Sequence, residues 1–209
     1  MIWPTNLEVF MGRARGFNEE DVIDKATTLF WQRGFNGTSM RDLVNATGLA
    51  KASLYNAFGN KEALFTEVLN HYINVKQTRV LTPLVTMEPA RRAIETYFSN
   101  LARSTEENKR TPGCLLINTA TEQGPHDESF REIVDNGIGR TERHIKEALQ
   151  RGIKDGSIDR RIDSDLSAYC LVSTVIAIRA QACKGIDTGK LKALIEANLA
   201  VHAPAPQAK

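Results

Sequence analysis

The chain has 209 residues, of which 42% are hydrophobic and 25% charged, and its formal net charge is +2. These ordinary globular values exclude a disordered or strongly basic protein, and the length allows a small domain joined to a larger one. No apolar run approaches the ~20 residues that span a bilayer, and the N-terminus lacks a secretory pattern. The three cysteines are expected to be thiols, so we expect a cytoplasmic protein without a membrane partner.

The first folded element is predicted to begin at Asn18, after an N-terminal extension or arm over residues 1–17. Asn18 is a favourable N-cap for a helix that ends near Gly34. Apolar residues recur along this helix at a spacing that forms one stripe, as expected when one face is buried. The stripe consists of Val22, Ile23, Ala26, Leu29 and Phe30.

Residues 38–65, TSMRDLVNATGLAKASLYNAFGNKEALF, are predicted to form two short helices, a glycine turn between them, and the start of another helix. Gly48 fits the turn because glycine adopts the left-handed backbone that ends many helices. The apolar faces of these helices and of the first helix are expected to close one small core. This pattern predicts a helix-turn-helix unit that reads DNA.

The residues left outward on the helix after Gly48 are hydroxylic, amide, small or cationic, and none is acidic. Such a face fits the major groove, where amides and hydroxyls read base edges while lysine and tyrosine contact phosphates. Asn60 is predicted to cap the next helix, and the helix starts that flank the unit are expected to contact phosphates as well. The predicted DNA-binding residues are Thr38, Ser39, Lys51, Ala52, Ser53, Tyr55, Asn56 and Lys61.

Residues 13–70 resemble the N-terminal domain of TetR-family transcriptional regulators. The matching positions, all in one register, are Phe35, Thr38, Ser39, Gly48, Leu54, Tyr55, Phe58, Lys61 and Glu62. At one position the family often has serine whereas this chain has Ala50. The helix that follows is therefore expected to lack a side-chain N-cap, a loss of about 1 kcal/mol.

The rest of the chain shows no strand alternation, so an all-α fold is predicted: a three-helix DNA-binding domain followed by a larger helical domain. The predicted helices cover residues 61–84, 89–107, 112–123, 127–153, 163–184 and 187–201. The predicted division is residues 18–65 for DNA binding, 66–202 for effector binding and dimerisation, and 203–209 for a flexible tail.

The resemblance implies that the last two long helices pair with a second subunit in a four-helix bundle. The first of the two is apolar most of the way round, which requires cover on two sides. A buried central helix in a monomer is the alternative. The predicted dimer residues are Leu166, Tyr169, Val172, Val175, Ile176, Leu194 and Ile195.

The resemblance also implies a small-molecule effector, bound between helices by an aromatic wall and a few polar groups. The same residues would also make an ordinary core, and that alternative stays open. The predicted effector residues are Tyr97, Phe98, Leu101, Cys114, Asn118, Glu122 and Phe130.

Cys114 is predicted to lie in the first turn of a helix, just after Lys109 and Arg110. Helix N-termini and cations favour the thiolate, so Cys114 is either a sensor thiol or an inert buried cysteine. Cys170 and Cys183 are predicted to be small packing residues. No metal is predicted at His126, because no other residue gives ligand spacing, and no cofactor is expected.

The sequence therefore predicts a homodimeric repressor that binds a palindromic double-stranded operator and is released by an effector or by thiol modification. Repression and the dimer are implied by the family resemblance. Two other classes remain open: a small cytosolic helical enzyme with Cys114 as its nucleophile, and a protein-binding adaptor. No set of nucleophile, base and orienting group is recognisable, so an enzyme is not expected.

Overall fold

The computed structural model describes residues 17–107, 112–122, 128–182 and 187–202, and these are helical apart from short connections. The all-α prediction is confirmed. Residues 1–16 of the N-terminal arm, the tail over residues 203–209, His126 and Cys183 lie outside the described residues. The helices are α1 (Glu19–Arg33), α2 (Met40–Thr47), α3 (Lys51–Phe58), α4 (Lys61–His71), π1 (Tyr72–Gln77), α5 (Thr78–Thr86), α6 (Ala90–Glu107), α7 (Leu115–Glu122), α8 (Glu128–Asp155), α9 (Ser164–Ala182) and α10 (Thr188–Ala200).

Helix α1 begins and ends where the sequence predicts. The Asn18 side chain accepts a hydrogen bond from the Glu20 amide, 2.9 Å away. Gly34 follows the last turn with a φ of 74°, and its N–H donates to the Phe30 carbonyl. The side chains of Val22, Ala26 and Phe30 are buried, so the predicted stripe is the core face of this helix.

The predicted helix over residues 61–84 is interrupted by the π-helical segment π1, which the sequence does not signal. Arg140 of α8 holds this segment, because its guanidinium donates to the Ile73 carbonyl and to the Thr78 hydroxyl at 2.9 Å each. The Gln77 side-chain amide also donates to α8, to the Gly137 carbonyl at 2.7 Å. Single π turns often occur at functional sites, and this one lines a cavity described below.

The core of the DNA-binding helices is not closed by those helices alone, which corrects the prediction of a small separate core. Phe130 of α8 contacts Phe35 and Phe65, with ring centroids 5.3 and 5.1 Å apart. The same cluster includes Phe30 and the α7 residue Leu116. Aromatic packing of this kind joins the residues on both sides of the predicted boundary at residue 65.

A second core joins the remaining helices. It is formed mainly by α5, α6, α8, α9 and α10, and its most buried members include Phe98, Leu101, Ile145, Leu171 and Ile178. Helix α8 is buried along both halves. Its N-terminal half packs into the cluster around Phe130, and its C-terminal half packs into this second core.

The C-terminal end of α7 binds the turn after α1. The Glu122 carboxylate accepts from the Phe35 amide at 2.9 Å and from the Asn36 amide at 2.7 Å. Gly34 makes this approach possible, since a Cβ atom there would overlap the carboxylate. A charged acceptor on two backbone amides is a strong contact, and it links the larger domain to the DNA-binding helices.

Candidate nucleic-acid interface and effector cavity

The turn between α2 and α3 has the predicted geometry. Gly48 has φ 75° and ψ 7°, the left-handed conformation, and its N–H donates to the Val44 carbonyl at 3.0 Å. No atom of the described residues lies within 4 Å of a Cβ placed on Gly48. Backbone conformation alone therefore favours glycine here.

The start of α2 is fixed by a capping box. The Ser39 hydroxyl accepts from the Asp42 amide at 3.2 Å, and the Asp42 carboxylate accepts from the Ser39 amide at 2.9 Å. Hydrogen bonds from the Ser39 side chain and backbone lower the pKa of Asp42, and the nearby Arg33 guanidinium adds to this effect. Ser39 remains exposed, although its hydroxyl also donates to the Asp42 carboxylate, and its contact with DNA stays a prediction.

Helix α3 begins without a side-chain cap, as the Ala50 substitution predicts. Its first residues therefore leave backbone N–H groups without an intrahelical partner. The preceding turn is fixed instead by Thr47, whose hydroxyl donates to the Leu43 carbonyl at 2.7 Å. The Leu49 amide in turn donates to the Thr47 hydroxyl at 3.3 Å.

The outward face of α3 consists of the residues that the sequence predicts. Lys51, Ala52 and Asn56 are exposed, Ser53 is half-buried, and Tyr55 is 40% exposed. Leu54, on the opposite face, is buried in the core. The Lys51 ammonium lies 5.8 Å from the Tyr55 ring centroid, so the two side chains share one patch. No acidic residue occurs between residues 43 and 61.

Two of the predicted DNA contacts require correction because their side chains are engaged within the protein. Thr38 is buried, and its hydroxyl donates to the Gly34 carbonyl at 2.7 Å. The Lys61 ammonium donates to the carbonyls of Phe35 and Thr38 at 3.1 Å each, and it lies 4.0 Å from the Phe35 ring centroid. Arg41, which is not among the predicted contacts, is exposed on α2.

A cavity of about 110 Å³ lies between the DNA-binding helices and the larger domain. Two of the predicted effector residues, Tyr97 and Cys114, line it. Burial raises the pKa of Tyr97 well above its usual value, although the charge of Arg179 opposes the shift. The complete lining is Trp31, Tyr72, Lys76, Gln77, Val80, Leu81, Tyr97, Cys114, Leu116, Ile117, Ile138, Thr141, Val172, Val175, Ile176 and Arg179.

The other predicted effector residues do not line this cavity. Phe98 and Leu101 are fully buried in the second core, and Phe130 belongs to the aromatic cluster. The Asn118 amide donates to the Pro112 carbonyl at 2.7 Å, and Glu122 binds the turn after α1. Spacing within each helix predicted one ligand-facing side on each of three helices, but of the predicted residues only Tyr97 and Cys114 line the cavity.

Cys114 lies immediately before α7, with its carbonyl accepting from the Asn118 amide at 2.9 Å. Its thiol is half-buried and accepts a hydrogen bond from the Tyr72 hydroxyl, 3.7 Å away. Burial, followed by the neighbouring Cys114, raises the pKa of Tyr72, so this hydroxyl stays protonated and can donate. The predicted neighbours Lys109 and Arg110 lie outside the described residues.

Comparison with known proteins decides the family. A family model for bacterial regulatory proteins of the tetR family matches residues 22–68, and a model for the tetracyclin repressor-like C-terminal domain matches residues 90–197. YezE of Bacillus subtilis, an uncharacterized HTH-type transcriptional regulator, is 30% identical over 76% of this chain and 81% of its own length. The chain belongs to the TetR family. It is therefore a DNA-binding transcriptional regulator and not an enzyme.

Further relatives of this TetR-family regulator agree with the assignment in both sequence and fold. The HTH-type transcriptional repressor ComR of Escherichia coli is 30% identical over 86% of each chain. A cysteine mutant of the TetR-family regulator CifR, complexed with 26-bp operator DNA, is 28% identical, with a TM-score of 0.80 over 90% of this chain and 98% of the CifR chain. Reduced E. coli NemR shares the fold at 21% identity, with a TM-score of 0.80 over 90% and 98% of the two chains.

Helix α9 of this TetR-family regulator exposes two large apolar side chains, but most of the predicted dimer residues are not exposed. Leu166 and Tyr169 on α9 are 61% and 62% exposed. Val172, Val175 and Ile195 are buried within their own chain, and Ile176 and Leu194 are half-buried. Cys170 is exposed, which corrects its assignment as a packing residue.

Within the described residues, no group of three or more His, Cys, Asp or Glu side chains is arranged to hold a metal ion. No described helix combines the length and the apolar character needed to cross a membrane.

Proposed function

We propose that this TetR-family regulator is a homodimeric repressor that binds a palindromic operator through α3 and is released by a small effector in the cavity. The observation that carries the proposal is the exposed face of α3, with Lys51, Tyr55 and Asn56 outward and no acidic residue between residues 43 and 61. Lysine, hydroxyl and amide groups are those that contact phosphates and base edges in the major groove. Ser39, Ala52, Ser53 and Arg41 complete the proposed interface.

The exposed part of α9 supports the dimer. Two large apolar side chains one helical turn apart, Leu166 and Tyr169, are exposed on a helix whose other faces are packed. Covering them with the same face of a second copy forms a two-fold interface, the commonest symmetry of homo-oligomers. That symmetry also supplies the second recognition helix, which a palindromic site requires about 34 Å away.

Relatives support operator binding and repression. ComR and BdcR of E. coli are both named transcriptional repressors. The CifR structure contains operator DNA, and its chain aligns with nearly all of this one. We transfer the mode of binding from these proteins to this chain as part of the proposal.

Effector control is proposed to pass through two connections between the domains. One is the continuous run of α4, π1 and α5, which joins the DNA-binding helices to the cavity wall. The other is α7, which has Cys114 at the cavity and Glu122 on the turn after α1. A ligand that favours a different tilt of these helices changes the spacing of the two α3 helices, and only its differential affinity for the two states drives release.

An electrophoretic shift with DNA from upstream of the gene tests the proposal. Lys51→Ala is expected to weaken binding and to reduce the slope of log affinity against log salt by about 1, because one phosphate contact is lost. Tyr55→Ala is expected to weaken binding about tenfold, and Tyr55→Phe separates the hydroxyl from the ring. Lys154→Ala, at an exposed position on α8, is the matched control and should bind like wild type.

Two results would contradict the assignment. Unchanged binding by both the Lys51 and Tyr55 variants would show that α3 does not read the DNA. A chain that binds no oligonucleotide at low salt would favour a protein-binding adaptor instead.

The dimer is tested by Leu166→Glu combined with Tyr169→Glu, which places two charges in the proposed interface. Sedimentation should show a monomer, and affinity for the palindrome should fall to that for a half-site. Val85→Glu, at an apolar residue of α5 that is 55% exposed, is the control and should remain dimeric. A wild-type protein that sediments as a monomer at all concentrations would overturn this part of the proposal.

Release by thiol modification is a second candidate, favoured because Cys114 lines the cavity. In a background with Cys170→Ser and Cys183→Ser, iodoacetamide forms one sulfur–carbon bond at Cys114 while iodide leaves and the thiol proton passes to solvent. The modified protein is expected to lose its operator, whereas a Cys114→Ser variant should retain it. DNA binding that survives complete modification, checked by mass spectrometry, would remove this candidate.

A further inference from the structure

A surface groove lies between α8 and the run of α4 and π1, apart from the cavity. Its volume is about 390 Å³, and its described lining shares no residue with that of the cavity. Gly137 of α8 lets π1 come close, because a Cβ atom there would lie 3.1 Å from the Ile73 side chain. The groove has the size of a small-molecule site. Its polar lining residues are Asn70, Asn74, Asn136, Arg140, Arg143 and His144.

Arg140 is held in one orientation at this groove. Its guanidinium donates to the Ile73 carbonyl and to the Thr78 hydroxyl, at 2.9 Å each. A guanidinium carries more N–H donors than these two bonds use, all in one rigid plane. Both acceptors are uncharged, so the positive charge of Arg140 has no counter-ion among the described residues. Further N–H groups of this fixed side chain are available to a ligand.

Arg143 adds a second positive charge without a counter-ion. It is exposed and makes no hydrogen bond or ion pair with a described residue. Arg143 follows Arg140 by three positions on α8, so the two side chains are neighbours on one face of the helix. His144 is already engaged, since its Nδ1 lies 3.2 Å from the Glu147 carboxylate. No described lining residue of the groove is acidic, so nothing in that lining offsets the repulsion between the two arginines.

The charges and the donor groups favour a phosphate monoester over other ligands. Two guanidinium groups match the charge of about −1.5 to −2 that a phosphate monoester carries at neutral pH, whereas a monocarboxylate carries a single charge. The planar fork of arginine also fits phosphate oxygens bidentately. The exposed amides of Asn70, Asn74 and Asn136 can both donate and accept, so they suit hydroxyl groups on the rest of the ligand.

We infer that the groove between π1 and α8 binds a small phosphate monoester that also carries hydroxyl groups. Its phosphoryl oxygens accept from the guanidinium groups of Arg140 and Arg143, and its hydroxyl groups bond to the asparagine amides. This is a second small-molecule site, separate from the cavity, and it does not rest on the repressor proposal. Because Arg140 also holds π1, a ligand on the same guanidinium reinforces the contact of π1 with α8.

The test uses the full chain without DNA, labelled with ¹⁵N-asparagine and followed by NMR at about 0.15 M salt, where weak long-range charge effects are screened. The probes are glycerol 3-phosphate, glycerate and glycerol, which share a hydroxylated three-carbon chain and differ in charge. Glycerol 3-phosphate should shift the side-chain amide resonances of Asn70, Asn74 and Asn136 and leave that of Asn198 unchanged. Its dissociation constant should be at least about tenfold lower than that of glycerate, and glycerol should not bind.

Arg143→Gln removes one guanidinium without removing any contact among the described residues. Its melting temperature should therefore equal that of wild type, and glycerol 3-phosphate should bind about tenfold more weakly. Arg143→Lys keeps the charge without the planar fork and should recover part of the loss. Arg160→Gln, at an exposed position outside the groove, changes the net charge equally and should bind like wild type.

Several results would overturn the inference. These are no shift with glycerol 3-phosphate at millimolar concentration, equal or tighter binding of glycerate, an unchanged affinity in Arg143→Gln, or an equal loss in Arg160→Gln. Shifts confined to asparagines outside the groove would overturn it as well.

Operator DNA is the other source of phosphate groups, so the same variants are assayed for operator binding. If Arg143→Gln weakened operator binding while wild type bound no glycerol 3-phosphate, the groove would contact DNA and the inference would be wrong. Operator binding that is unaffected by Arg143→Gln, in a protein that binds no glycerol 3-phosphate, would reject the inference and leave the repressor proposal standing. Binding of glycerol 3-phosphate with the expected loss in Arg143→Gln would support the inference even in a chain that binds no DNA.

Discussion

The α3 face and the cavity differ in how their residues are distributed along the chain. The outward residues of α3 lie within one helix of eight residues, and they are exposed or half-buried as expected. The cavity collects residues from Trp31 to Arg179, and only Tyr97 and Cys114 were predicted. Helical periodicity determines which side of one helix faces outward, but a cavity is a gap left where several helices fail to fill the space between them.

The largest expected effect tests whether the two regions share one core. Phe130→Ala removes a buried ring that contacts Phe35 and Phe65, and should lower the free energy of unfolding by about 3–5 kcal/mol. Urea denaturation measures this loss. Val201→Ala, at a residue 70% exposed, is the control and should change stability by less than about 0.5 kcal/mol. If Phe130→Ala left the DNA-binding helices as stable as before, the two regions would have independent cores.

The contact at Glu122 is expected to contribute the next largest effect. Glu122→Ala removes the carboxylate that accepts from the Phe35 and Asn36 amides, and should lower the unfolding free energy by about 2 kcal/mol. Hydrogen exchange at these two amides should accelerate. Glu132→Ala, on the exposed surface of α8, should alter neither quantity. Unchanged exchange at Phe35 and Asn36 would show that the two regions are not linked here.

Two glycines allow a matched comparison of the regions. Gly48 has a φ of 75°, so Gly48→Ala should destabilise the protein by about 1–2 kcal/mol through backbone strain alone. Gly139 lies inside α8 with open space around it, so Gly139→Ala should stabilise it by about 0.5–1 kcal/mol. Thermal denaturation measures the change in stability of each variant. If both variants were stabilised, or both destabilised, the assigned backbone conformations would be wrong.

The smallest effect concerns the pH dependence of the α2 cap. The folded-state pKa of Asp42 is lowered, first by the Ser39 side chain, relative to an unfolded value of about 3.9. The contribution of this carboxylate is therefore complete above that value and is lost as the pH falls through the folded-state pKa. An NMR titration of Asp42 should show its midpoint moving up in Ser39→Ala. Ser167→Ala in α9 is the control and should leave the Asp42 midpoint where it is. An unmoved midpoint in Ser39→Ala would contradict the capping box.

The two corrections in the DNA-binding region share one cause. Thr38 and Lys61 occupy helix starts, where a sequence pattern predicts polar groups facing a phosphate. Both instead bond to backbone carbonyls at the turn after α1, namely those of Gly34, Phe35 and Thr38. Which acceptor a long lysine side chain reaches depends on the position of another helix. That position is not encoded by the spacing within α4.

The amino-acid sequence by itself determined the features that depend on neighbours within a few residues. These include the Asn18 cap, the left-handed Gly48, the uncapped start of α3 and the outward face from Lys51 to Asn56. Helix capping, backbone conformation and amphipathic periodicity act over about one or two turns.

Only the tertiary structure decided the features made by residues distant along the chain. Glu122 meets the Phe35 amide across 87 positions, and Gln77 meets Thr141 across 64. The cavity arises in the same way, because its walls come from α1, π1 and the helices from α5 to α9. Such contacts depend on how whole helices pack, so residue spacing within one helix does not predict them.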